Sequence, residues 1–251
     1  MKKITKETVN KDIEIFKSKG FKEKLDKIYR RLPVTECSFC GVCCCDTPNI
    51  SYPEFLYIFN YFNNEGNFTD EEKIRVYKKS VYRYIKGLIS KEREVRECVF
   101  LYNNKCLIYP VAPLNCKRWG LQSKESYERD LKMDHNYNKK IDDYYKKHGI
   151  NITEENTNFI TPYCDKVNII KNPYNVLERD IDNIFDKDLI SMIKPFVDKN
   201  FNNFTITEYL TYIHFHLKLF EDRITVIKEY QTGNLDAINS YIESIDFSKF
   251  I

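Results

Sequence analysis

Five of the nine cysteines fall within nine residues, Cys37-x2-Cys40-x2-Cys43-Cys44-Cys45, and the others are Cys98, Cys106, Cys116 and Cys164. Thiolates at every third residue let a short loop wrap a metal centre. This is the ferredoxin-type spacing, in which three local cysteines serve one cubane cluster and a distant one completes it. Gly41 removes a Cβ where such a loop must bend around the sulfurs. Cys43 and Cys44 are adjacent, and in extended chain neighbouring side chains point to opposite sides. If both ligate, they are expected to face different metal centres, or different metals of one large cluster. Cys37, Cys40, Cys43 and Cys44 with Cys98, Cys106, Cys116 and Cys164 make two four-cysteine sites and leave Cys45 over. Two three-cysteine sites, each with an iron open to substrate, fit as well. Zinc is the alternative, but it favours a second CxxC pair, and the distal cysteines are separated by seven and nine residues instead. The expected cofactor is therefore an iron–sulfur cluster of the 4Fe–4S type, one or two per chain, ahead of zinc and of ordinary core thiols.

CSFCGVCCC (37–45) followed by CVFLYNNKCLIYPVAPLNC (98–116) resembles the YkgJ-type CxxCxxCC cysteine-cluster family, whose pattern is CxxCGxCC and then CxFL…CxIY…P…C. The resemblance covers about residues 35–120. It implies an iron- or zinc-chelating domain with Cys37, Cys40, Cys43, Cys44, Cys98, Cys106 and Cys116 as ligands. Cys164 lies beyond the matching blocks and joins the set by ligand arithmetic. The same superfamily includes the flagellin lysine N-methylase, so the resemblance also implies S-adenosylmethionine-dependent methylation. Two departures stand out: Ala112-Pro113 occupies the place of the usual Arg-Pro, and Cys45 adds a thiol beside the usual pair.

Lys117, Arg118 and Trp119 follow Cys116 directly. A cluster held by four thiolates is net negative, so adjacent cations and an indole N–H would stabilise it and tune its potential. Arg118 and Trp119 are the expected cofactor-contacting pair, against the plainer reading of a solvated basic step. Asp46, after the triple cysteine, is either an oxygen ligand or the cap of the turn. His214 and His216 are two apart in an apolar helical stretch and cannot chelate one ion together, so they read as core or boundary residues. KKSVYRYIKG (78–87) mixes base and aromatic but reads as the outer face of a helix. No Ser–His–Asp order, HExxH or EF-hand pattern is present, so any catalysis is assigned to the metal centre.

The elements that must position these thiols are mostly helical. Residues 1–33 carry apolar positions spaced for two amphipathic helices interrupted at Gly20. Ser51 and Glu54 form a capping-box pattern before a helix at about 53–63, and Thr69 and Glu72 another before a basic helix ending near Ser90. CVFLY (98–102) and CLIY (106–109) flank a polar turn and read as a short hairpin. A charged, tyrosine-rich helix is expected at 123–148, irregular chain at 151–175, and three helices near 175–194, 206–230 and 234–245. The expected fold is mainly α with one small β-hairpin, a cysteine-rich metal core wrapped by helices. Its parts are an N-terminal helical segment (1–33), a metal-binding domain (34–165) and a helical C-terminal part (166–251).

Composition removes several alternatives. The seven glycines are never closer than 21 positions, whereas a Walker loop or a dinucleotide fingerprint needs them within about six residues. Forty Lys and Arg against 37 Asp and Glu leave +3, too weak a surplus to expect nucleic acid. Mean hydropathy is −0.55, no apolar run reaches the roughly 18 residues of a membrane span, and the N-terminus lacks an apolar leader. A cytoplasmic protein is expected, where nine cysteines stay reduced. Its partners would be a small-molecule or protein substrate for an enzyme, a redox partner for a carrier, or another protein for a zinc-stapled interaction module.

Overall fold

The structure, a computed structural model, describes residues 4–36, 40–90, 92–152, 162–165, 167–172, 191–199 and 204–251, with backbone alone at 130, 133–138, 141, 197–199 and 216–219. It is mostly helical, with three small antiparallel strand pairs among the described residues. Helices α1 (Lys6–Ser18) and α2 (Phe21–Tyr29) break at Gly20, which adopts φ +62. Helix α3 (Tyr52–Asn60) is buried on every side and continues into a π-turn, Tyr61–Glu65. A helix apolar all round belongs at the centre of a fold, and α1 and α2 pack on this one. Helix α4 (Asp70–Lys86) opens on the Thr69–Glu72 capping box and lies along the long helix α8 (Ile206–Gln231). Short helices α5 (Arg93–Arg96) and α6 (Leu114–Lys117), a long α7 (Lys124–Lys147) and a later α9 (Ala237–Glu243) are the other helices among the described residues.

The aromatic centre of the core joins α3 to α8. Phe55 stacks on Tyr209 with centroids 4.5 Å apart, and Tyr52 and Phe59 pack against Phe55. Each such ring stabilises the fold by roughly 1.5–3 kcal/mol through burial alone. The polar ends of the tyrosines are used to tie helices together. Tyr52 donates to Asp12 of α1 at 2.7 Å and Tyr57 to Asp26 of α2 at 3.1 Å.

The hairpin forms at the expected place but is shorter than 98–102 and 106–109: β3 (Leu101–Tyr102) pairs with β4 (Lys105–Cys106), and Lys105, expected in the turn, opens β4. Asn103 and Asn104 have φ +48 and +59, the left-handed pair of a two-residue type I′ turn. The other two pairs are not foreseen by the alternation pattern. Strand β1 (Val34–Glu36) pairs with β5 (Asn168–Lys171) inside the stretch expected to be irregular, with a bulge between Val34 and Thr35. Strand β2 (Asn49–Ile50) pairs with β6 (Phe204–Thr205). Both pairs reach across the boundary expected at 165/166. The helix expected at 175–194 falls largely outside the described residues, which there begin at Ser191 and run into a 3-10 turn, Lys194–Lys199.

Candidate metal centre

The triple-cysteine turn is held from both flanks. β1 precedes it and β2 follows it, and each is tied by its strand partner to a distant segment. Between them Gly41 takes φ +71, with Leu101 and the Arg93 guanidinium packed where a Cβ would project. Arg93 Nη2 donates to the Cys40 carbonyl at 3.3 Å and fixes the entry to the turn. Cys43–Cys45 then forms one 3-10 turn. The expectation that Cys43 and Cys44 point to opposite sides assumed extended chain, and the turn overturns it. Their thiols are hydrogen-bonded to each other and both face the same cavity. Cys45 is the one that turns away, buried and donating to the Gly41 carbonyl at 3.7 Å.

The distal thiols are brought in by separate devices. The Cys98 N–H donates to the Cys44 carbonyl at 2.6 Å, which fixes the two segments together. The hairpin register sets Cys106 opposite Leu101. Cys116 rides on α6, whose first N–H, that of Leu114, donates to the buried Glu54 carboxylate at 2.7 Å. Glu54 also accepts from Tyr29 Oη at 3.2 Å and from the Ser51 N–H and hydroxyl at 3.0 and 2.7 Å. One carboxylate thus aligns α2, α3 and α6. Cys164 is placed through Gly120, whose φ of +81 and lack of a Cβ admit Val167 and the Cys164 sulfur. Tyr163 donates to the Gln122 carbonyl at 3.0 Å and holds the same segment.

The outcome is a single cavity of about 610 Å³ whose wall includes Cys40, Cys43, Cys44, Cys98, Cys106, Cys116 and Cys164. Seven of the eight described cysteines thus share one space, and none of the eight is in a disulfide. Cys37 lies outside the described residues. Among the described residues, no three His, Cys, Asp or Glu side chains stand close enough to hold one ion together. A single zinc needs its four sulfurs about 2.3 Å from one point. A cluster takes one thiolate per iron and accepts a wider ring.

Of the other expected contacts, Trp119 and Asp46 line the cavity. Arg118 does not; it caps the end of α6, and Lys117 takes the wall position instead. The Lys117 ammonium sits 5.2 Å from the Tyr29 ring centre and 5.8 Å from that of Tyr109. Which cation of this pair reaches the wall is set by the register of α6, one turn long, which spacing does not reveal. His214 stacks on Phe250 at 4.1 Å as a core residue, and the His216 side chain lies outside the described residues.

The protonation pattern is that of crowded thiols. Burial pushes Cys98 and Cys116 up, and Cys106 up to about 12, with the neighbouring thiols adding to the shift. Cys116 is open towards the cavity, yet protein surrounds it on the other sides. Cys43 alone goes down, to about 7, because Cys44 donates a hydrogen bond to it while Cys44 itself is driven up. Burial lowers Lys117, and the facing Cys106 and Cys116 oppose that.

No family model matches the chain, and the searches found no similar curated protein or solved structure. Among the described residues no helix is long and apolar enough to cross a membrane.

Proposed function

We propose that this cavity holds a thiolate-bound iron–sulfur centre and that the protein is an enzyme using it to modify a protein or small molecule. The observation that carries the reading is the convergence of seven cysteines, from four separate stretches of sequence, on one space. The thiols are soft donors suited to iron and sulfide. A bound cation would also offset the penalty of ionising groups that burial holds protonated. Cys40, Cys43, Cys44, Cys98, Cys106, Cys116 and Cys164, with Cys37 from the same run, are the proposed ligands, and Cys45 is not one of them. The centre would supply one-electron chemistry where every iron is thiolate-bound, and Lewis-acid chemistry where three of these cysteines leave one iron open. The residues around it would do the rest: Lys117 holds positive charge beside Cys106 and Cys116, Trp119 and Tyr29 wall the space, and Asp46 and Asp165 offer carboxylates.

The enzyme is favoured over a non-catalytic carrier by the size of the space. At about 610 Å³ it falls within the range of small-molecule sites, about 300–1,000 Å³. S-adenosylmethionine-dependent methylation is the form of the reaction that the CxxCxxCC resemblance implies. The reading sets the protein in a thiol-reducing compartment such as the cytoplasm.

Purification without oxygen tests the reading. A brown protein with iron and sulfide in equal amounts, about four or about eight irons per chain, is expected. Cys44→Ala is expected to lose metal and Cys45→Ala to keep it. A colourless protein, with stoichiometric zinc or with no metal, would overturn the reading. S-adenosylmethionine added to the reduced protein is expected to change its paramagnetic resonance spectrum, and an unchanged spectrum would point to a carrier that serves a redox partner.

A further inference from the structure

A second depression, which shares no lining residue with the cysteine cavity, lies where α4 packs against α9. Its volume is about 360 Å³, within the range of small-molecule sites, about 300–1,000 Å³. Arg75, Lys78, Lys79 and Tyr82 of α4 form one wall, at the i, i+3, i+4 and i+7 positions of a single helix face. Asn239, Ile242 and Glu243 of α9 form the other. The basic and aromatic stretch 78–87 thus supplies Lys78, Lys79 and Tyr82 to a groove.

Two of the three cations in this wall have no anion against them. Lys79 pairs with Glu97 at 3.3 Å. Arg75 makes no ion pair or hydrogen bond among the described residues. Its guanidinium lies 4.1 Å from the Tyr102 ring centre, and its Nη2 is buried without an acceptor. Stacking on the hairpin therefore fixes this cation in place. Lys78 is exposed, with its ammonium 6.0 Å from the Phe247 ring centre, and it has no ion pair among the described residues either. Nearby carboxylates are engaged or turned to solvent. Glu72 accepts from the Thr69 N–H at 2.9 Å, and Asp246 accepts from Ser248 and pairs with Lys249. Glu71 and Glu243 are exposed and pair with neither cation.

Like charges three and four apart on a helix face repel one another. A guanidinium N–H shut from water without an acceptor also costs stability. An anion in the groove would offset the repulsion and give the charge a use. The planar fork of an arginine suits a tetrahedral oxyanion, and a lysine adds a point charge beside it. Tyr82 and Asn239 bring neutral donors to the same space, and the Tyr82 ring with Ile242 offers apolar surface. Two unpaired cations are too few for the long basic track that a nucleic acid follows.

We propose that the α4–α9 groove binds a phosphate dianion, free or as the monoester of a small organic molecule, between Arg75 and Lys78. The site is independent of the metal reading.

Calorimetric titration of the full chain at low salt tests it, with inorganic phosphate and phenyl phosphate as probes and acetate as the control. Both phosphates are expected to bind at one per chain, and acetate is not. Tighter binding of phenyl phosphate assigns the monoester, because its ring reaches Tyr82 and Ile242; equal binding assigns free phosphate. Arg75→Gln is expected to weaken binding about tenfold. Lys78→Gln should weaken it less, and Glu243→Gln should strengthen it by removing the one carboxylate of the wall. If Arg75→Gln does not fold, the exposed Lys78 and Glu243 still decide, since their variants must shift affinity in opposite directions. The proposal is overturned if neither phosphate binds, if acetate binds as well as they do, or if the variants leave the affinity unchanged. Binding should be equal with and without metal. A chain that takes up no iron but binds phosphate loses the metal reading alone. Phosphate binding that vanishes when metal is removed would place the anion in the cysteine cavity and overturn this site.

Discussion

Two interiors meet at α3 (Tyr52–Asn60), and they are built on opposite rules. On one side Phe55 and Tyr209 stack at 4.5 Å within a sealed aromatic core, and the tyrosine hydroxyls there end on carboxylates. On the other side Ile58 forms part of the wall of a cavity of about 610 Å³ crowded with thiols. The first interior is filled, as protein cores are. The second keeps space, special backbone angles at Gly41 and Gly120, and thiols that burial holds protonated. Such departures cost stability and gather where chemistry is done. The contrast therefore separates residues that make the fold from residues that the fold exists to position.

The largest effect should come from breaking the filled side. Phe55→Ala removes a fully buried ring from the centre of the stack, and about 3–5 kcal/mol of stability is expected to go with it. Denaturant unfolding of the metal-free protein measures this. The fraction that still folds is expected to bind as much iron per chain as wild type. Loss of metal in proportion to lost stability would mean the two interiors are not separable.

Glu54 is where they are joined, and Glu54→Ala should blur the contrast. The substitution strands Tyr29 Oη, the Ser51 N–H and the Leu114 N–H. With about 1–3 kcal/mol for each buried group left unsatisfied, and some relaxation, a loss of about 3 kcal/mol is expected. Unlike Phe55→Ala, it should also lower metal content in the folded fraction, because the α6 N-terminus that carries Cys116 loses its anchor. Metal analysis beside an unfolding curve tells the two variants apart.

The filled side was legible in the sequence and the spacious side in half. The apolar run at 55–62, both capping boxes and the Asn-Asn turn depend on neighbours a few residues away, and each appeared where spacing put it. The cysteine set was legible as a set because thiols in this number have few other uses. How it closes was not legible. β1–β5 and β2–β6 join segments more than 130 residues apart through strands of two to four residues, too short for any alternation to register. The 3-10 turn at Cys43–Cys45 reversed a side-chain direction that extended chain would give.

The most selective effect acts on the thiol side alone. Free cysteine ionises near 8.5 in an unfolded chain, while burial holds Cys98 and Cys116 above their ordinary value and Cys106 at about 12. Between those limits the unfolded state binds fewer protons than the folded one, so stability falls as pH rises from about 8.5 towards 12. Cys43 runs the other way: its thiolate is favoured down to about 7, so its contribution is present above 8.5 and lost as pH falls through 7. Five raised thiols, Cys44 and Cys45 included, against one lowered thiol make the alkaline loss dominate in the metal-free protein. Thermal midpoints followed from pH 7 to 10 should therefore drop for the metal-free chain. The loaded chain should hold steady over the same range, since ligation has already taken the protons from its thiols. Parallel curves for the two forms would show that these thiols do not carry the metal.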